Sequence, residues 1–86
     1  MESIGDTLKS SREERGYSIE QVARDTNIAR RFIIALEEEN FSEFPGDTYL
    51  LGFLRNYSEY LGLDPERMSS LYKNMQLQEQ PAPMEE

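Results

Sequence analysis

Tyr49, Phe53 and Tyr60 share one stripe of a predicted helix, and the chemistry open to such a row is apolar recognition, with no bond made or broken. At about 100° per residue, Leu50, Leu54, Tyr57 and Leu61 form a neighbouring stripe, so this helix carries more apolar surface than one packing face uses. The leucine-rich stripe reads as core, and Tyr57 reads with it. The aromatic stripe has two readings. Either solvent reaches it and a partner protein can grip it, or Tyr49 and Phe53 pack beneath the loop that carries Phe41 and Phe44.

A second set of side chains could read nucleic acid. Arg30 and Arg31 open the third predicted helix, where a DNA-reading helix approaches base edges, and Arg24 could reach a phosphate. The positions that follow, Phe32, Ile33 and Ile34, offer almost no hydrogen-bonding readout, and Glu37, Glu38 and Glu39 set negative charge close to a duplex. DNA binding is therefore the alternative and not the leading reading. Arg12 and Arg15 are expected to pair with Glu13, Glu14 or Asp25 on a solvated surface.

Catalysis finds little to work with. The chain has no histidine and no cysteine, which removes imidazole bases, thiol nucleophiles and thiolate zinc sites. No serine has a recognisable base nearby, and no glycine-rich phosphate loop is present. Glu37 to Glu39 cannot converge on one ion, because successive helical side chains point about 100° apart. A solvated acidic helix end is expected there. It opposes the helix dipole, and a basic partner surface would account for it. The expectation is a non-enzyme with no metal and no cofactor.

The 86 residues suffice for one core, and the net charge of −8 repels phosphate backbones and anionic lipid. No apolar run approaches the roughly 18 residues of a membrane span, and the N-terminus lacks the layout of a secretory signal. The chain as given is expected to be soluble and unexported. Absence of cysteine fits a reducing cytoplasm.

Periodicity and stop signals predict an all-α, five-helix domain. A first helix runs from Ile4 to Arg15 with Ile4 and Leu8 inward and Gly16 as a left-handed end. Ser18, three residues before Gln21, caps a second, with Tyr17 as a staple residue and Ile19, Val22 and Ala23 as its apolar face. Asp25, Thr26 and Asn27 form a polar turn before Ile28, Phe32, Ala35 and Leu36 define the third, so that the pair makes a helix-turn-helix. Asp47 is the expected N-cap of the fourth helix, Thr48 to about Leu61, which Gly62 ends. Asp64 and Pro65 start a fifth that presents Met68, Leu71, Tyr72 and Met75. Residues 1–75 form the domain, and 76–86 read as a flexible acidic tail or linker.

The block Gly16 to Glu38 resembles the helix-turn-helix of Cro and Xre-like phage repressors, with Gly16, Ser18, Ala23 and Ile28 at the family's positions. With FPGDTYLLGFLRNYSEYLGLDP and an apolar fifth helix behind it, the chain over about residues 4–75 is similar to the cytoplasmic N-terminal domain of the RodZ family of bacterial cell-shape proteins. That resemblance implies an adaptor. In the family the fourth helix binds the bacterial actin MreB through two aromatic positions one turn apart, which fall here on Tyr49 and Phe53. Tyr57, Tyr60, Arg55 and Asn56 lie nearby as further implied contacts. It also implies a longer protein, with a basic juxtamembrane stretch, one membrane-spanning helix and a periplasmic domain beyond this fragment. The fragment itself would be a monomer on the cytoplasmic side of the inner membrane, without direct membrane contact. Mating of the aromatic stripe with its own copy is the third possibility.

Overall fold

A computed structural model describes the backbone of residues 3–79 and the side chains of residues 3–76. Five α-helices follow one another, α1 (Ile4–Glu14), α2 (Ile19–Thr26), α3 (Arg30–Glu38), α4 (Asp47–Tyr60) and α5 (Pro65–Glu79), with a short 3-10 turn at Phe41–Glu43. No strand occurs among the described residues. None of these helices is long and apolar enough to cross a membrane.

Local chemistry sets most of the boundaries. The Ser3 hydroxyl accepts the Asp6 N–H at 3.1 Å and the Ser18 hydroxyl accepts the Gln21 N–H at 3.1 Å, so α1 and α2 each begin with a side-chain cap. Gly16 and Gly62 stand at positive φ, 73° and 78°, where a β-carbon is costly, and stop α1 and α4. Asp64 accepts the Glu66 N–H at 3.0 Å, the cap that a following Pro65 announces.

Three boundaries differ from expectation. Asp47 is the first residue of α4 and not its cap: Gly46 holds the cap position without a side-chain bond, and the Asp47 carboxylate instead accepts the Tyr72 hydroxyl at 2.9 Å, pinning α4 to α5. Thr26 is no turn residue but the buried last residue of α2. Its hydroxyl donates to the Val22 carbonyl at 2.7 Å and accepts the Ile28 N–H at 3.2 Å, while Asn27 turns the chain at φ 64°. Ile28 accordingly lies buried ahead of α3, which starts at Arg30. The fifth helix runs through Glu79, past the expected boundary at 75; the remainder of the expected tail, 80–86, lies outside the described residues.

The core is one cluster. Ile4, Leu8, Val22, Ile28, Ile33, Leu36, Leu50, Leu54, Tyr57, Leu61, Met68 and Tyr72 are all buried within it, and α4 packs mainly on α5 while α1 packs mainly on α3. Ile33, with no exposed surface, takes the inward place that helical phase had given to Phe32, which is only half-buried.

The end of α3 is where the structure departs most from a solvated surface. Glu37 and Glu39 are not free carboxylates. Arg12 Nε donates to Glu37 Oε2 at 2.7 Å and its Nη2 to Oε1 at 3.1 Å, a two-pronged pair with 12% and 6% of the two side chains exposed. Arg12 therefore does not pair with Glu13, Glu14 or Asp25. Glu39, at φ 60°, turns back so that its carboxylate accepts the Gly5 N–H at 2.8 Å. The physical reason for these two acidic residues at the negative end of a helix dipole is thus internal: Glu39 meets a free N–H at the N-terminus of α1, whose positive dipole end favours an anion, and Glu37 meets the Arg12 cation in the last turn of the same helix. Gly5 permits that approach, since a β-carbon there would stand 2.1 Å from the Glu37 carbonyl oxygen.

Candidate functional site

The two stripes of α4 meet different surroundings. Leu50, Leu54, Tyr57 and Leu61 are between 0% and 1% exposed. Tyr57 also donates its hydroxyl to Glu37 Oε2 at 2.5 Å, and burial first, then that carboxylate, push its pKa up. Proximity had grouped Tyr57 with the partner-binding residues. It offers no surface to a partner, because its phase on α4 points it at the Arg12 and Glu37 pair.

Tyr49 is 60% exposed, and among the described residues it is the one large hydrophobic side chain in that state. One turn on, Phe53 is half-buried, stacked on Phe32 with ring centres 5.2 Å apart and 24° between planes, and tilted toward Phe44 at 6.0 Å. Phe32 stacks in turn on Phe44 at 5.0 Å. Both sequence readings therefore hold in part. Tyr49 is wet, while Phe53 rests on the loop and on α3 and shows the solvent its remaining surface.

Tyr60, at the far end of the stripe, is tied into the fold. Its hydroxyl donates to Asp25 Oδ2 at 2.6 Å, its ring lies 5.2 Å from that of Tyr17, and the Asp25 bond is the chief cause of a pKa pushed up to about 12. Asn56 donates to the Thr26 carbonyl at 3.3 Å, and Arg55 pairs with Glu66 at 2.7 Å, which raises the arginine's pKa and lowers the glutamate's. These two polar residues fasten α4 to α2 and α5. Of the expected set, Tyr49 and Phe53 are the two not tied by a hydrogen bond to another helix, while Arg55, Asn56 and Tyr60 keep exposed surface but have a partner within the fold.

The basic set of α2 and α3 is exposed. Arg24, Arg30 and Arg31 all face solvent. Arg30 lies 3.6 Å from Glu20, with both side chains more than half exposed, and the Arg31 guanidinium sits 4.8 Å over the ring of Phe32. Sequence reasoning missed Gly5, Ser3 and the inward role of Arg12. A signal existed for the last: Ile4, Leu8 and Arg12 recur every four residues, so a cation stands on a buried face and requires an anion opposite.

Residues 7–68 match the helix-turn-helix domain family. The chain belongs to that family. Its relatives include the uncharacterized membrane protein YmfM of Bacillus subtilis (strain 168), 34% identical over 56 residues, which cover 65% of this chain and 19% of that protein. Cytoskeleton protein RodZ of Streptococcus pneumoniae is 27% identical over 70 residues, 81% of this chain and 25% of its own length. Among solved structures, YmfM of Staphylococcus aureus, a membrane protein thought to bind DNA, superposes with a TM-score of 0.78 at 25% identity, covering 85% of this chain and 89% of that one. This helix-turn-helix domain is homologous to RodZ and YmfM and spans about a fifth to a quarter of the length of those curated relatives.

Proposed function

We propose that this domain is a non-enzymatic adaptor that binds MreB filaments through Tyr49 and Phe53 on α4 and, as part of a longer membrane protein at the cytoplasmic face of the inner membrane, links the cytoskeleton to the membrane for rod-shape maintenance. The observation that carries the reading is the exposure of Tyr49, 60% of a large aromatic surface, one helical turn from the partly open ring of Phe53. Homology to a cytoskeleton protein supports the choice of partner, and the membrane proteins among the relatives support the location. Burying one large aromatic on a partner contributes about 1.5–3 kcal/mol before ordering costs. Tyr60, Arg55 and Asn56 already have hydrogen-bond partners within the domain, so those three tune the edge of the site and do not anchor it.

The test is sedimentation of the domain with polymerised MreB, comparing the parent with Tyr49→Ala. The expected result is at least a roughly tenfold loss of affinity with an unchanged thermal midpoint. Equal sedimentation of parent and variant would end the adaptor reading.

DNA binding is the second reading, favoured by the description of the Staphylococcus aureus relative and by the exposure of Arg24, Arg30 and Arg31. It predicts retardation of duplex DNA that falls steeply with salt and with Arg30→Ala. A concentration-dependent mass in sedimentation would instead identify a self-associating patch in a domain that we read as a monomer.

A further inference from the structure

Two stacked rings and one cation line up across two helices, with a third ring one turn away on α4. Tyr49 and Phe53 are one turn apart on α4, Phe53 stacks on Phe32 of α3 at 5.2 Å, and the Arg31 guanidinium lies 4.8 Å over the Phe32 ring. Arg31 is exposed, and among the described residues no carboxylate stands within ion-pair distance of it, whereas Arg12, Arg30 and Arg55 each have one. Arg15 and Arg24 also lack an ion pair among the described residues, and of these three Arg31 is the one whose guanidinium lies over a ring of the aromatic patch. The ring beneath it restricts its rotation, so less side-chain entropy is lost when a partner group arrives.

We infer that Arg31 and Phe32 belong to the protein-binding surface of α4, and that the partner sets a carboxylate beside the apolar depression that receives Tyr49. This rests on the adaptor reading and deepens it. A planar guanidinium with its outer edge free takes a carboxylate through two parallel N–H donors, and Phe32 supplies the apolar floor that continues from Phe53. The residues that a DNA-reading helix would use at the start of α3 are then the charged edge of a protein site.

The experiment is sedimentation of the 86-residue chain with polymerised MreB at two salt concentrations, using Arg31→Glu, Arg31→Lys, Tyr49→Ala and, as a charge-matched control, Lys9→Glu. Lys9 is exposed and shares a groove with Ile34, which points roughly 200° around α3 from Phe32, so it reports bulk charge alone. Arg31→Glu is expected to weaken binding about tenfold, Arg31→Lys to lose part of that because a lysine cannot stack and fork together, and Lys9→Glu to change it by less than about twofold. The parent should also lose more affinity with added salt than Arg31→Glu does. Equal losses for Arg31→Glu and Lys9→Glu would overturn the inference as bulk electrostatics. Unchanged binding for Arg31→Glu beside a clear loss for Tyr49→Ala would overturn it while leaving the adaptor reading in place. If Tyr49→Ala does not weaken binding, the adaptor reading falls and takes this inference with it.

Discussion

Tyr49 and Tyr57 are the same residue type about two turns apart on one helix, and they meet opposite fates. Tyr57 has no exposed surface and gives its hydroxyl to Glu37; Tyr49 is 60% exposed. The eight-position step between them rotates the side chain by only about 80°, which is enough to cross from the face where Tyr57 meets Glu37 of α3 to a face that the described residues leave open. Helical phase sorts the two. What each then does depends on whether another element reaches the same place.

The comparison breaks first at its buried end. Gly5→Ala forces a β-carbon against the Glu37 carbonyl at 2.1 Å, between two backbones that cannot yield cheaply, so α1 must move off α3. A loss of about 3 kcal/mol or more is expected in urea denaturation, at the upper end of overpacking costs. Glu37→Ala comes next, because it leaves the Arg12 cation and the Tyr57 hydroxyl without their acceptor. Removal of one member of such a pair costs about 2–3 kcal/mol here, below the fully buried range since 12% of Arg12 still meets water.

Paired phenylalanine variants sharpen the contrast. Tyr57→Phe should cost about 1.5 kcal/mol through one hydrogen bond to a charged acceptor, whereas Tyr49→Phe should stay within about 0.5 kcal/mol of the parent. Equal denaturation midpoints for the two variants would mean that the Glu37 bond contributes nothing in solution.

Tyr60 supplies a titration. Its folded pKa of about 12 lies above the ordinary tyrosine value near 10, so its contribution to stability is intact below about pH 10 and is lost as pH rises toward 12. Asp25→Asn should bring that titration down in phenolate absorbance, with Tyr60→Phe identifying the signal. The smallest effect belongs to Arg55→Ala, which breaks a solvent-exposed pair with Glu66 and should leave the thermal midpoint unchanged.

Much of this was legible in the sequence. The Ser18 cap, the stops at Gly16 and Gly62, the Asp64 and Pro65 start, and the inward row Leu50, Leu54, Tyr57 and Leu61 all depend on residues within a turn or two of one another. Apart from Thr26, whose partners Val22 and Ile28 are close in sequence, the main readings that failed depend on long separations. Glu37 finds Arg12 across 25 positions, Glu39 finds Gly5 across 34, and Tyr60 finds Asp25 across 35. An acidic helix end reads as solvated until the element that opposes it is known. The aromatic stripe stayed open between two readings on the same ground, since nothing local decides that Phe53 packs against Phe32 and Phe44 while Tyr49 does not.

By itself the sequence determined five helices, the Ser18 and Asp64 caps and the inward row of α4, because those follow from backbone geometry and near neighbours. The tertiary structure alone decided which outward positions stay wet. Two helices can present identical apolar rows, and only their packing against α2, α3 and the loop that carries Phe44 determines that Tyr60 is fastened, Phe53 is half covered and Tyr49 is left in water. Burial is a property of what lies opposite, and a linear pattern of residues does not contain that.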